Sequence, residues 1–326
     1  MTEQLTAKKI LGMDQTAFSI FARKYGISVV MVIMIVLLAI ASPTFRTSGN
    51  VLSVLLQVSI NGILTLGMVF VITAGGIDLS IGSMLALTSV IIGVVLNSSG
   101  NIWLACVCSI AATTFFGLMN GLLVAKFRMI PFVVTLATQL VIRGVAYIIS
   151  GGYSQSLANE DFKTIGGGKL FGVVPFPIII LLAVIVISFI ILHNTRLGRY
   201  VYAVGGNINA ATASGVNVFR TQISSYVISG ICCGIAGIIM TSRISAAQPN
   251  IGVGYETDAI AACVIGGTSF AGGVATIPGT VVGIVIIGLI YNGMNLVGIN
   301  SYWQTITKGL LILGAVLLDM LMNKKR

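Results

Sequence analysis

The chain has 326 residues, of which 56% are hydrophobic and only 8% are charged, and its mean hydropathy is +1.05. Soluble domains carry roughly 25% charged residues, so these values exclude a water-soluble protein. At about 20 residues per membrane span, the chain has room for roughly ten spans and for no sizeable soluble domain. The net charge of +10 comes from Lys and Arg scattered among short connections, not from one basic stripe. We therefore expect no nucleic-acid partner.

Ten apolar runs bounded by Gly, Pro, Asn or charged residues predict membrane-spanning helices. They cover residues 26–42, 51–73, 79–98, 102–125, 130–149, 174–193, 221–242, 257–273, 275–297 and 301–322. The eighth run is short and rich in Gly, so it is either a full crossing or a broken or re-entrant element. The fold class is therefore all-α: a polytopic helical bundle forming one domain over 26–322, between an N-terminal segment (1–25) and a basic tail (323–326).

The distribution of Lys and Arg predicts the orientation of the bundle. With the N-terminus inside, twelve of the 18 Lys and Arg residues lie inside and four lie outside, at Arg46, Lys163, Lys169 and Arg243. Cytoplasmic connections carry such an excess of positive charge. Both termini and the long 194–220 connection are therefore expected in the cytoplasm, and the 150–173 connection outside. An alternative is that residues 27–41 form the core of a signal peptide.

A carboxylate stands between the second and third runs, in the sequence from Thr73 to Ser83. Gly75 and Gly76 are expected to break the preceding helix, and Asp78 has no basic neighbour in sequence. Either Asp78 or Ser80 caps the next helix, or the turn lines a substrate path within a discontinuous helix. Both interpretations remain open from the sequence.

A second glycine-rich break follows nearly 190 residues later, over 265–279. Interrupted segments in corresponding positions of two halves are a sequence signature of a transporter's central site. Small residues four apart, at Gly117 and Gly121, Gly230 and Gly234, and Gly279 and Gly283, predict close helix packing. These patterns predict a bundle with an internal repeat.

The 194–220 connection is too regular in its Gly, Asn and Ala positions to be a simple spacer. Asn207 or Asn209 can cap a short Ala-rich helix, and Gly215 can end it in a left-handed conformation. Such a helix is either a docking element for another protein or part of an ordinary surface loop.

Three separated motifs together closely resemble the ribose-type permeases of bacterial ATP-binding-cassette sugar importers. They are Gly75 to Ser83, Gly198 to Val218, and Gly266 to Gly273 with Ile277 to Thr280, and the resemblance covers almost the whole chain in the right order. It implies a second permease copy, identical or closely paralogous, a periplasmic sugar-binding protein and a cytoplasmic ATP-binding subunit, in the lipid of the bacterial inner membrane.

By the same resemblance, residues 207–215 are the coupling helix for the ATPase. The residues assigned to coupling are Arg196, Gly198, Arg199, Gly206, Asn207, Asn209, Ala210, Ala211, Ser214 and Gly215. Many relatives carry charged residues where this chain has Ile208, Asn209 and Thr212, so we expect the contact with the ATPase to differ in detail while the role of the loop is the same.

Amides within the runs can line a sugar path, because they supply both donors and acceptors to hydroxyl groups. The candidates are Asn61, Asn120, Gln139 and Asn292, together with Gly75, Gly76, Asp78 and Ser80; interhelical hydrogen bonds explain buried amides equally well. Glu256 and Asp258 either contact the sugar-binding protein or cap the eighth segment.

Motifs for chemistry on this chain are missing. Lys169 follows three glycines but precedes Leu170, so no phosphate-binding loop is present, and ATP hydrolysis is expected in a partner subunit. The five cysteines lie in apolar runs without metal-ligand spacing, so neither metal nor cofactor is expected. The alternatives are a stand-alone secondary transporter or channel that uses Asp78, and, less favoured, a membrane-embedded enzyme. The sugar itself, whether ribose, allose or a relative, is left open.

Overall fold

The computed structural model describes residues 15–323 and consists almost entirely of helices. The helices are α1 Gln15–Ala41, α2 Ser48–Thr73, α3 Ile81–Ser99, α4 Ile102–Phe127, α5 Pro131–Ser150, α6 Glu160–Gly167, α7 Phe176–Phe189, α8 Arg196–Gly206, α9 Ile208–Ala213, α10 Val218–Ile244, α11 Tyr255–Ile265, α12 Ile277–Leu296 and α13 Ser301–Asn323. A 3-10 turn covers Pro43–Arg46, and a π-helical turn at Ile190–Asn194 extends α7. The prediction of an all-α membrane protein is confirmed.

The predicted runs coincide with helices to within a few residues, except at the start of the first run and at the eighth run. Within the described residues, seven helices are long and apolar enough to cross a membrane: α2 to α5, α7 with its π-helical turn, α10 and α12. The described apolar part of α1, Gly26–Ala41, is shorter than these. Crossing by ten segments therefore stays a prediction, as does the orientation of the termini.

The eighth run, predicted over 257–273, is a helix only over the 11 residues of α11. At 1.5 Å per residue this is about 16 Å, too short for a hydrocarbon core of roughly 30 Å. Gly266 follows the last residue of the helix as its C-cap. The chain then has no regular secondary structure up to Thr276, the N-cap of α12. Of the two alternatives for this run, a full helical crossing is wrong, and the segment is a broken helix.

The two long connections contain secondary structure of their own. Within 150–173 lie β1 (Gln155–Ser156), α6 and β2 (Lys169–Leu170), which pairs antiparallel with β3 (Val174–Pro175). Strand β1 pairs antiparallel with β4 (Ala246–Ala247), so this connection is attached to the end of α10. The 194–220 connection is built from α8 and α9. Of the predicted segment 1–25, residues 1–14 lie outside the described residues, as does all of the tail after Asn323.

The core of the bundle surrounds α2 and α10. In α2 every residue from Gly62 to Thr73 is buried. Helix α10 crosses α4 in direct backbone contact, because a Cβ atom on Gly117 would lie 2.5 Å from the Tyr226 carbonyl oxygen and one on Gly230 would lie 2.5 Å from the Thr113 carbonyl oxygen. The small-residue pairs of α4 and α10 thus face one another, and the close helix packing predicted from them is present between these two helices.

Candidate translocation and coupling site

Residues 74–80, called the first break, connect α2 and α3 around the carboxylate of Asp78, which is 0% exposed. Its Oδ1 accepts hydrogen bonds from the Ser80 backbone N–H at 3.0 Å and the Ser80 hydroxyl at 2.5 Å, and its Oδ2 accepts one from the Ser229 hydroxyl at 2.9 Å. The Asn120 amide on α4 donates to the Ser80 hydroxyl at 2.9 Å. Among the described residues no cation forms an ion pair with Asp78. Neutral donors from Ser80 and from Ser229 of α10 therefore satisfy the carboxylate, and Asn120 of α4 fixes the break to α4 through the Ser80 hydroxyl.

The backbone of the first break is also held by side chains. The Ile77 carbonyl accepts hydrogen bonds from the Thr135 hydroxyl of α5 at 3.2 Å and from the Tyr226 phenol of α10 at 3.3 Å. Gly75 adopts φ +81°, in the left-handed region, and a Cβ on Gly76 would lie 2.7 Å from the Tyr226 hydroxyl oxygen. Glycine at both positions lets the chain turn while a phenol approaches closely.

The carboxylate lies in a closed turn and not in an open polar one. Asp78 accepts from the N–H of Ser80, the residue immediately before α3, and the Ser80 side chain makes no capping bond to the helix. Asp78 and Ser80 are both fully buried, so the network does not reach solvent in this structure. A role of these residues in lining a pathway stays a prediction.

The short helix α9 has the caps that the sequence predicted. The Asn207 side chain accepts hydrogen bonds from the backbone N–H groups of Asn209 and Ala210, each at 3.0 Å. Gly215 follows the helix with φ +78°. Asn207, rather than Asn209, is thus the N-cap, and the left-handed glycine ends the helix.

Most residues predicted to couple to an ATPase lie on the surface. Exposed are Arg196, Arg199, Gly206, Asn207, Asn209, Ala210, Ser214 and Gly215. Gly198 is buried, and a Cβ there would lie 2.0 Å from the Leu192 carbonyl oxygen. Ala211 is 4% exposed and packs inward. The α8–α9 segment (residues 196–213) therefore presents a small, polar, exposed face while two small residues fix it to the bundle.

Helix α8 lies directly against the end of α2 and against residues 266–276, called the second break. A Cβ on Gly205 would lie 1.8 Å from the Thr73 carbonyl oxygen and 2.6 Å from the Gly273 nitrogen. The Gly273 N–H itself donates to the Thr73 carbonyl at 2.9 Å, and the Tyr202 phenol of α8 donates to the Ala275 carbonyl at 2.8 Å. Burial raises the pKa of the Tyr202 phenol, so it remains a donor at neutral pH.

The two glycine-rich breaks meet at this point, although nearly 190 residues separate them. A Cβ on Gly272 would lie 2.9 Å from the Gly205 carbonyl oxygen and 3.1 Å from both the nitrogen and the Cα of Gly75. Three backbone segments thus touch with no side chain between them. We call this contact of Gly75, Gly205, Gly272 and Gly273 the glycine junction.

The four amides predicted for a sugar path have different surroundings. Asn292 on α12 exchanges two hydrogen bonds with Asn50 on α2, at 3.1 and 2.8 Å, and Asn120 belongs to the Asp78 network. Asn61 and Gln139 are half-buried on α2 and α5. Two of the four therefore make interhelical hydrogen bonds, which was the alternative explanation.

Glu256 and Asp258, predicted to contact a sugar-binding protein, are 9% and 4% exposed. Asp258 Oδ1 lies 2.8 Å from the Lys308 ammonium and accepts a hydrogen bond from the Tyr291 phenol at 2.6 Å. Glu256 Oε2 is buried without a hydrogen-bond partner among the described residues. Both carboxylates point into the bundle in this structure, so contact with another protein stays a prediction.

Sequence reasoning missed the partners of these buried groups. Ser229 and Tyr226 stand 151 and 149 positions from the atoms they bind, and isolated hydroxyls in apolar helices usually bond to their own backbone. The ion pair could have been predicted. Ionisable residues inside membrane spans usually pair with one another, and Asp258 and Lys308 are two such residues of opposite charge. No group of His, Cys, Asp and Glu side chains suited to a metal ion occurs in the described part of the chain.

Comparison with known proteins places this arrangement in a family. A family model described as branched-chain amino acid transport system / permease component matches residues 50–316, a range that includes both breaks and the α8–α9 segment.

Individual relatives match over nearly their whole length. The chain is similar to the ribose import permease protein of Bacillus subtilis, with 41% identity over 320 residues and 98% of each chain covered. The ribose import permease protein of Escherichia coli K12 is 42% identical over 302 residues, 91% of this chain and 93% of that protein. The L-arabinose transport system permease protein of the same organism is 37% identical over 318 residues, 97% of this chain and 96% of that protein. No solved structure matches the chain. The chain therefore belongs to the family of branched-chain amino acid transport system permease components.

Proposed function

We propose that this chain is the transmembrane permease subunit of an ATP-driven monosaccharide importer in the bacterial inner membrane. Two copies, or one copy and a close paralogue, form the pathway. A periplasmic sugar-binding protein delivers the sugar, and separate cytoplasmic ATP-binding subunits supply the energy. The names of the relatives, two for ribose and one for L-arabinose, support a monosaccharide as the cargo.

The membrane topology of this proposal has ten segments and both termini in the cytoplasm. Seven helices of sufficient length and apolarity support a multi-pass protein, and the excess of Lys and Arg in the connections assigned to the inside supports the orientation. The α8–α9 segment then lies in the cytoplasm, where an ATPase can reach it. Helix α11 enters the membrane only part of the way, as discontinuous helices of transporters do.

The glycine junction is the observation that carries the coupling mechanism. Helix α9 is exposed and follows α8 after the single residue Asn207, and at the glycine junction α8 touches the end of α2 and the second break through backbone atoms. Because no flexible side chain lies between the backbones at this junction, a displacement of α8 by a bound ATPase must shift at least one of its two neighbours, the end of α2 or the second break. Opening of the pathway at one end is thus linked to events on the exposed face of α9.

Reconstitution of the three components tests the function. The chain is placed in proteoliposomes with its partner ATPase inside and its sugar-binding protein outside, and ATP-dependent uptake of radiolabelled D-ribose, L-arabinose and D-allose is measured. We expect uptake of at least one sugar only when ATP and all three components are present.

A stand-alone transporter gives the opposite result. It would take up sugar in liposomes that contain this chain alone under a proton or sodium gradient, and would use a buried carboxylate such as Asp78 for coupling. Uptake under those conditions overturns the proposal.

A further inference from the structure

A polar cleft of about 240 Å³ lies among α2, α11, α12 and α13. Its lining includes Gln57, Asp258, Tyr291, Asn295 and Thr305. Gln57 stands 16 residues before the end of α2 that touches α8, about 24 Å at the helical rise. The cleft is therefore at the opposite end of the bundle from the α8–α9 segment.

The charges in this cleft are already paired with each other. The Lys308 ammonium lies 2.8 Å from Asp258 and also donates to the Gly254 carbonyl at 3.2 Å. The Tyr291 phenol donates to the same carboxylate at 2.6 Å. A ligand in this cleft meets an ion pair that is already neutralised, so the Asp258–Lys308 pair offers no unpaired charge to a charged solute, and Arg243 belongs to an adjoining cleft.

The remaining polar groups of the cleft suit hydroxyls. Amide side chains come from Gln57, Asn295 and Gln304 and present both donors and acceptors, and the Gln304 amide donates to Asn295 at 2.7 Å. Asn295 and Thr305 are exposed. Polar groups facing hydrocarbon are costly, so this surface faces water or a polar solute rather than lipid.

A second cleft of about 370 Å³ adjoins the first at Gln57, which lines both. Its lining includes Arg243 and Tyr255, with the apolar side chains Ile60 and Met240. Together the two reach the size of roughly 300–1,000 Å³ that is usual for small-molecule sites. Apolar and aromatic walls beside convergent polar groups match the alternating C–H and hydroxyl faces of a sugar ring.

We propose that this cleft binds the transported monosaccharide, as an uncharged polyhydroxylated ligand, where it enters the permease. The inference rests on the proposed function and adds a site to it: Gln57, Asn295 and Thr305 contact ring hydroxyls, while the Asp258–Lys308 pair and Tyr291 fix the wall of the cleft. None of these contacts reaches the first break, so sugar is recognised at one end of the bundle and ATPase motion is received at the other.

Helix α13 offers a matched pair of substitutions. Thr305 lines the cleft and donates to the Ser301 carbonyl at 3.1 Å, whereas Thr307 lines a separate surface cleft beside Trp303 and donates to the Trp303 carbonyl at 2.9 Å. Valine at either position removes one hydroxyl that donates to the backbone carbonyl four residues earlier, so the two substitutions lose the same local hydrogen bond. In the complete reconstituted importer, T305V and Q57L are expected to lower sugar import about fivefold each, the equivalent of one hydrogen bond, and T307V is expected to match wild type.

Cysteine labelling locates the sugar without relying on transport. In a chain whose half-buried Cys106 and Cys108 are replaced by Ser, T305C and T307C are labelled with a water-soluble maleimide in the presence of D-ribose, L-arabinose or D-allose. The sugar that the importer carries is expected to slow labelling of T305C and not of T307C. The site is overturned if wild type imports sugar while T305V and Q57L do so equally well and no sugar protects T305C. A failure of the proposed function is distinct, because wild type itself then imports none of the three sugars.

Discussion

The two glycine-rich breaks look alike in sequence but differ in what surrounds them. In the first break only Gly75 is exposed, and side chains from α4, α5 and α10 bind its Ser80 hydroxyl, its backbone and its carboxylate. In the second break five of the eleven residues are exposed, among them Phe270 and Val274. Among the described residues, the second break contacts α8 at the glycine junction and through one phenol on the Ala275 carbonyl, and Ser269 and Phe270 have partners as well.

This difference indicates that the two breaks have different mechanical roles at this end of the bundle. A fully packed turn with satisfied polar groups has one low-energy arrangement, so the first break acts as a fixed support. Exposed backbone opens at lower cost than buried backbone, so we expect the second break to move with α8 more readily than the first. We expect displacement of α8 to reposition the second break, and with it α11 and α12, relative to α2 and α3.

The largest effect is expected for a methyl group at the glycine junction. In Gly205→Ala the new Cβ meets two backbone groups, the Thr73 carbonyl oxygen and the Gly273 nitrogen, which cannot rotate away. We expect a loss of about 3 kcal/mol in the free energy of unfolding, measured by SDS titration in mixed micelles.

Gly206→Ala is the matched control for that substitution, because a Cβ there has nothing within 4 Å. Its free energy of unfolding is expected to equal or slightly exceed that of wild type, since Ala costs less conformational entropy than Gly. Equal losses at Gly205 and Gly206 would show that the junction is not tightly packed.

The next effect tests whether the first break is fixed by its carboxylate. Asp78→Ala leaves the Ser80 and Ser229 hydroxyls without their acceptor in a buried site, and we expect a loss of about 2 kcal/mol in the free energy of unfolding. Asp78→Asn keeps one acceptor oxygen and should lose less. Wild-type stability in the alanine variant, combined with lost import, would instead favour a role of Asp78 in the pathway.

A smaller effect is expected where a single side chain holds the second break. Tyr202→Phe removes the hydrogen bond to the Ala275 carbonyl, worth about 1 kcal/mol, in the same unfolding measurement. Burial raises the pKa of this phenol above its ordinary value near 10. The contribution of the phenol is therefore complete below pH 10 in wild type and is lost as the pH rises through the folded-state pKa. A wild type and a phenylalanine variant that are equally stable at pH 7 would show that this bond does not hold α8.

The smallest effect is expected on the exposed surface of the second break. Val274 is 40% exposed, so Val274→Thr should change the free energy of unfolding by less than about 0.5 kcal/mol. A loss comparable to that of Asp78→Ala would contradict the difference between the two breaks.

Local pattern was sufficient to predict most of the fold. Nine of the ten predicted runs begin and end within a few residues of helix bounds, apart from the earlier start of α1 at Gln15. An apolar segment in a bilayer has no water to bond its backbone, so it forms a helix that satisfies its own hydrogen bonds. The caps of α9 were also predictable from the sequence, because Asn207 and Gly215 lie next to the helix ends that they cap.

Contacts between distant parts of the chain were not predictable in this way. The glycine junction brings Gly75, Gly205 and Gly272 together, and the local sequence around each of them does not indicate which other residues it contacts. The same holds for Asn292, whose partner Asn50 lies 242 residues away. A glycine pattern indicates that something approaches closely but does not say which segment it is.

Replacement of residues 207–215 by a Gly-Ser chain of equal length tests the central claim most directly. Uptake of the transported sugar and ATP hydrolysis are measured in proteoliposomes that contain the ATPase and the sugar-binding protein, and the unfolding temperature of the variant is measured in parallel. We predict that the bundle remains folded, because α9 contributes little buried surface beyond Ala211, and that ATP-driven uptake is abolished. Uptake at the wild-type rate by the folded variant would contradict the account.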